Sequence, residues 1–127
     1  MGYTFVDHGN MVLDLEDDYP DFAYPAAVAV SKEPGSLGII LCSSGGGITI
    51  VANKVKGIRA VYCQDVQQAI HAREHNDANV LCLGSETVQK NEDTLAIVQA
   101  FLSAQFAGGR HTRRIGKITD IENNTFL

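Results

Sequence analysis

Apolar residues in this chain fall in short runs separated by longer, helically spaced stretches. Four runs read as strands: residues 3–6 (YTFV), 37–42 (LGIILC), 58–63 (IRAVYC) and 79–83 (NVLCL). The last three are nearly continuous in apolar residues rather than alternating, which suits parallel strands covered on both faces. Between the runs the spacing changes to the helical period. Asp18 followed by Tyr19 and Pro20 predicts a helix over 18–31, with Pro25 imposing a kink or a late start. A second helix is expected over 47–54. A third is expected over 65–75, opened by Asp65 and carrying Val66, Ala69 and Ile70 inward. A fourth is expected over 91–106, with Leu95, Val98 and Leu102 on one stripe. Strands alternating with helices predict βαβ units. The expected fold is therefore α/β, a three-layer α/β/α sandwich with a mostly parallel four-stranded sheet. It would form one domain over 1–127, with Gly108-Gly109 as a linker to a basic C-terminal segment, 108–127.

Composition narrows the function classes. A net charge of −5 argues against a general nucleic-acid binder. No apolar run approaches the roughly 20 residues of a membrane helix, and the opening MGYTFVDHGN has no apolar signal core. The three cysteines, Cys42, Cys63 and Cys82, are odd in number and end apolar runs, as expected of free thiols in a reducing, cytoplasmic setting. They form no C-x-x-C pair and no close Cys/His cluster, so a structural zinc site is not expected.

The stretch richest in chemistry is Cys42-Ser43-Ser44-Gly45-Gly46-Gly47-Ile48-Thr49. It follows a buried strand and leads into a helix. Glycines let the backbone turn sharply and aim several N–H groups at one point. The helix N-terminus behind them adds partial positive charge, making an anion site. A thiol at such a place is favoured as a reactive thiolate. The residues alone leave two readings open: a reactive thiol beside an anion site, or a small core cysteine followed by a tight connection.

The surrounding motifs are similar to those of the ribose-5-phosphate isomerase B and galactose-6-phosphate isomerase family. Cys42, Ser44, Gly45, Gly47 and Thr49, then Ala52-Asn53-Lys54, stand in the register of that family's Cys-Gly-Thr-Gly-x-Gly-x-Ser turn and Ala-Asn-Lys sequel. The resemblance continues through Gly57-Ile58-Arg59-Ala60, through 73–79 (REHNDAN), and through Gly108-Gly109-Arg110-His111 with Arg114; Asp18-Tyr19-Pro20 fits as well. It implies an aldose–ketose sugar-phosphate isomerase, with ribose 5-phosphate and ribulose 5-phosphate the leading pair, acting through a cis-enediolate. Cys42 would be the base. The N–H groups of Ser43, Ser44, Gly45, Gly46 and Gly47 would hold the enediolate oxygens, helped by the Ser44 hydroxyl. His75 would be the ring-opening acid and Asn76 a substrate ligand. Arg110 and Arg114 would grip the phosphate, commonly across a homodimer interface, and Tyr19 would line the sugar site. The resemblance implies no cofactor, and no nucleic-acid or membrane partner. His71, one turn before His75, and His8 read as structural or surface residues.

Two departures stand out. The family opens with a strand ending in a Ser-Asp-His-Ala-Gly segment, whereas Gly2 to Gly9 here match the family's second strand. A start assigned late, a rearranged four-stranded sheet, or a second chain filling the gap would each account for this. Glu86 stands where an arginine is common. Both departures keep an alternative open: a non-catalytic sugar-phosphate-binding homologue or subunit.

Overall fold

The computed structural model describes residues 2–126; the two end residues of the expected 1–127 domain lie outside it. In chain order the elements are α1 (Pro20–Lys32), β1 (Gly38–Cys42), α2 (Gly46–Asn53), β2 (Ala60–Tyr62), α3 (Val66–Asn76), β3 (Val80–Gly84), α4 (Asn91–Ser103) and α5 (Arg110–Glu122). The sheet has order β1-β3-β2, and both pairings are parallel. Helices α1 and α2 pack on one face and α3 and α4 on the other, giving the three layers expected of the sequence.

Strand β3 shows why the apolar runs are continuous. All five of its residues are buried. Side chains alternate faces along a strand, so Val80 and Cys82 enter the core beneath α1 and α2 with Ile40, Ile48 and Ala52. Leu81 and Leu83 enter the opposite core with Ile97 and Phe101. Each core removes its apolar area from water at about 25 cal/mol per Å².

Local sequence sets the helix ends. The Asp65 carboxylate caps α3 by accepting the Gln68 N–H at 2.8 Å. Pro20 takes the first position of α1, where its missing N–H is harmless. Pro25 lies inside α1, which continues through it to Lys32 rather than starting late. Asp18 does not cap α1 with its side chain; the Asp21 carboxylate instead accepts the Asp18 N–H at 2.9 Å.

Two expectations are corrected. Residues 3–6 form no strand. They lie exposed, and among the described residues their backbone has no hydrogen-bond partner, because a groove of about 1460 Å³ separates them from the open edge of β1. Among the described residues the sheet therefore has three strands, not four. The inward stripe of α4 is Ile97 and Phe101, flanked by Val98 and Leu102, while Leu95 is exposed. The helix also ends at Ser103, short of residue 106.

Several motif residues are scaffold. Asn53 substitutes for a strand neighbour: its Oδ1 accepts the Ala60 N–H (2.8 Å) and its Nδ2 donates to the Ala60 carbonyl (2.9 Å). Asn79 does the same for the 57–59 loop. Asp77 caps α3 in a left-handed conformation and pairs with both Arg59 (3.1 Å) and Arg73 (3.4 Å).

Candidate active site

Cys42 is the last residue of β1, half-buried and level with Gly84 at the end of β3. The chain then turns through Ser43 and Ser44. Gly45 has φ +84°, a left-handed conformation that L side chains rarely adopt. That conformation sends the Gly45 N–H back onto Cys42 Sγ at 3.1 Å. The Gly46 N–H reaches Ser44 Oγ at 3.3 Å. Of the five backbone donors expected to face an anion, two are thus already engaged within the turn. The donors left are the N–H groups of Ser43, Ser44 and Gly47, which have no protein acceptor among the described residues.

The turn is held from below and from both sides. The N–H groups of Ser85 and Glu86 donate to the carbonyls of Cys42 (2.8 Å) and Ser43 (2.9 Å). Thr49 Oγ1 donates to the Gly45 carbonyl at 2.6 Å. Gly84 lies so close to the turn that a Cβ there would stand 2.6 Å from the Ser44 carbonyl oxygen. The Tyr62 ring covers Gly45 and the Tyr19 ring covers Gly47, so Tyr19 does border this turn. Glu86 is exposed, its backbone tied to Ser43.

The other two cysteines are different. Cys63 and Cys82 are fully buried. Burial, with the neighbouring Cys82 and Asp65, pushes the Cys63 thiol up to about 12. Burial pushes the Cys82 thiol up to about 11, the nearby Thr49 hydroxyl opposing it. Both remain neutral core thiols.

The second group of expected site residues lies at the other end of the sheet. Helix α3 runs back along the sheet and delivers His75 and Asn76 near Val80, where β3 begins. Cys42 is level with Gly84, four strand steps away, a separation of roughly 13 Å along the sheet alone. A single chain therefore does not bring Cys42 and His75 together. Helix α5 joins His75 at that far end. Its Arg110 and Arg114 are exposed and one helical turn apart. The Ala107 N–H ties the preceding connection to the Glu74 carbonyl at 3.0 Å.

Three imidazoles stack where α3 and α5 meet. His71 and His75 have ring centroids 4.7 Å apart and nearly parallel planes. His75 and His111 are 4.5 Å apart and likewise stacked. His71 also contacts Gln67 Nε2 at 3.0 Å. Partial burial, then the nearby His75, Arg110 and Arg114, hold His111 below its ordinary value. His111 belongs to the Gly108-Gly109-Arg110-His111 motif, but within its run of basic residues nothing local marks it for the stack. The sequence reading placed His71 one turn from His75 without assigning it a role, although that spacing was itself the signal for a stack. His8 is exposed. Among the described residues, no cluster of His, Cys, Asp and Glu is placed to hold a metal ion.

A family model described as Ribose/Galactose Isomerase matches residues 1–118. The chain belongs to this family. It is 49% identical over 117 residues to the probable ribose-5-phosphate isomerase B of Mycoplasma pneumoniae, covering 92% of this chain and 76% of that protein. It is 44% identical over 121 residues to the ribose-5-phosphate isomerase B of Escherichia coli, covering 95% of this chain and 80% of that one. The crystal structure of ribose-5-phosphate isomerase B from Mycoplasma genitalium with bound ribulose-5-phosphate superposes with a TM-score of 0.89 at 46% identity, covering 94% of this chain and 79% of that one. The ribose/galactose isomerase fold of this chain is thus a mostly parallel sheet between helices. Among the described residues no helix is long and apolar enough to cross a membrane.

Proposed function

We propose that this chain is an aldose–ketose sugar-phosphate isomerase, most simply of ribose 5-phosphate and ribulose 5-phosphate, working in the cytoplasm as a homodimer with two composite sites. The observation that carries the composite site is the separation of Cys42 from His75, Arg110 and Arg114 by the length of the sheet. Each site would then combine the glycine turn of one copy with the α3–α5 end of the other.

In this reading Arg110 and Arg114 of the second copy grip the phosphate with paired hydrogen bonds. His75 of that copy opens the sugar ring by proton transfer, which an imidazole can perform near neutral pH. Asn76 beside it binds sugar hydroxyls, and Tyr19 closes the side of the sugar nearest Gly47. Cys42, as thiolate, takes the proton from C2. The electrons of that bond form the C1–C2 double bond, and the C1 carbonyl oxygen takes the charge. The Ser43, Ser44 and Gly47 N–H groups and the Ser44 hydroxyl stabilise that oxygen as its charge develops. A proton moves from the C2 hydroxyl to the C1 oxygen, and the thiol returns its proton to C1, leaving the ketone at C2. Proton transfers alone complete the reaction, so this scheme calls for no cofactor.

Mixing two inactive variants tests the composite site. Cys42→Ala and His75→Ala are each expected to lack turnover. A composite site predicts that their mixture recovers about a quarter of wild-type activity, since about half the dimers are mixed and one of their two sites is intact. No recovery, with mixed dimers shown to form, would place the whole site within one chain. A second reading, a sugar-phosphate binder without catalysis, is favoured by the carboxylate of Glu86 beside the turn. It predicts binding of ribose 5-phosphate by calorimetry with no isomerisation.

A further inference from the structure

Gln67, His71 and His75 recur every fourth residue along α3 and so share one face of the helix. Gln67 Nε2 lies 3.0 Å from His71 Nε2. An amide nitrogen can only donate, so that ring nitrogen accepts and the His71 proton sits on Nδ1. The His71 ring then stacks on His75, with centroids 4.7 Å apart and planes 17° apart. His111, from α5, stacks on His75 at 4.5 Å and 13°. Two rings at such distances cannot share one face, so His75 is walled on both faces. Its edge, which carries both ring nitrogens, stays open.

The two walls differ. His111 sits on α5 beside Arg110 and close to Arg114. His71 is exposed and belongs to neither core; Ala69 and Ala72 do the packing on its helix. Among the described residues its side chain hydrogen-bonds only to Gln67. The stack on His75 is therefore what the His71 ring contributes.

We infer that His71 is a positioning residue, which holds the His75 ring in the plane that ring opening of the sugar requires. This deepens the proposed function and rests on its reading of His75 as the ring-opening acid. In that step the bond between C1 and the ring oxygen breaks. The ring oxygen takes a proton from the edge of His75, and the C1 hydroxyl gives its proton to water as its electrons form the C1 carbonyl. The donor must lie within hydrogen-bond reach of the ring oxygen and point at it. A stacked aromatic neighbour favours one rotamer by about two- to twelvefold. Without His71 the His75 ring spends correspondingly less time aligned.

Two substrates isolate the step. Ribose 5-phosphate must be opened. Ribulose 5-phosphate has no ring form, because the oxygen that would close its ring carries the phosphate. His71→Ala is expected to lower turnover of ribose 5-phosphate about three- to tenfold. Exchange of the C1 proton of ribulose 5-phosphate with heavy water needs no ring opening and should stay within about twofold of wild type. His71→Phe restores a flat wall without a titrating group, and should recover the lost turnover. Proton NMR reads the stack itself: the carbon-bound ring protons of His75 should move downfield in His71→Ala and return in His71→Phe. Equal turnover of ribose 5-phosphate by wild type and His71→Ala would overturn the inference, as would equal losses with both sugars or no recovery in His71→Phe. Unchanged turnover in His71→Ala with none in His75→Ala removes this inference alone. Wild-type turnover in His75→Ala removes the reading of His75 on which it rests.

Discussion

Replacing Gly45 by alanine separates the demands of the glycine turn. The residue has φ +84°, and an added Cβ would stand 2.5 and 2.6 Å from Cε2 and Cδ2 of Tyr62 and 3.3 Å from the Gly84 nitrogen. The left-handed conformation costs alanine about 1 kcal/mol relative to glycine. The overlap with Tyr62 adds a second cost. That ring is not free to swing, because its hydroxyl is bonded to Thr87 Oγ1 and accepts from Gln64 Nε2 at 3.3 Å. Overpacking of this kind costs about 1–3 kcal/mol. The total of about 2–4 kcal/mol is a large share of the roughly 5–15 kcal/mol that holds a domain folded. Gly35 supplies the control: it has φ +85° and nothing within 4 Å of an added Cβ, so Gly35→Ala isolates the conformational part. Urea unfolding of the two variants should give Gly45→Ala the larger loss by about 1–3 kcal/mol. Isomerase turnover should fall with it, since the Gly45 N–H is the donor to Cys42 Sγ. Equal losses for both variants would refute the packing argument, and a Gly45→Ala loss under about 0.5 kcal/mol would refute the conformational one as well.

Two further outcomes follow from the titratable groups. Near pH 8 a maleimide should label Cys42 and spare Cys63 and Cys82, whose raised values and burial keep them neutral and out of reach until the chain unfolds; labelling of all three at one rate in the native protein contradicts this. His111 has its folded value below the ordinary 6.5, so as pH falls the unfolded chain takes up that proton first. Its contribution is fully present above about pH 6.5 and is lost below it, so the urea midpoint should drop between about pH 7.5 and 5.5, and His111→Gln should flatten that drop. A midpoint that rises on acidification would overturn the assignment.

Much of the fold was legible because burial on both faces writes continuous apolar runs, as β3 shows with five buried residues in a row. The glycine turn was legible because a left-handed residue and two close approaches leave few alternatives to glycine. Other features are not local. The run 3–6 has the composition of a strand, but a strand exists only where a neighbour supplies a ladder, and none lies beside it. In α4, helical spacing fits either Leu95 or Ile97 as the inward residue, and only packing against α3 decides for Ile97 and Phe101. The imidazole stack joins residues 71, 75 and 111 across two helices, which no window of sequence contains. The placement of the expected site residues at the two ends of the sheet depends on the direction of α3, a matter of topology rather than of motif.

Turnover of ribose 5-phosphate by the 127-residue chain and by Cys42→Ala, followed together with deuterium uptake at the sugar carbon from heavy water, tests the assignment of Cys42 most directly. The wild-type chain should interconvert ribose 5-phosphate and ribulose 5-phosphate and exchange the transferred proton with solvent. Cys42→Ala should lose about 10²–10⁴-fold in rate, the usual contribution of a positioned base, while still binding the sugar phosphate. Equal turnover and equal exchange by the two proteins would contradict the role of Cys42.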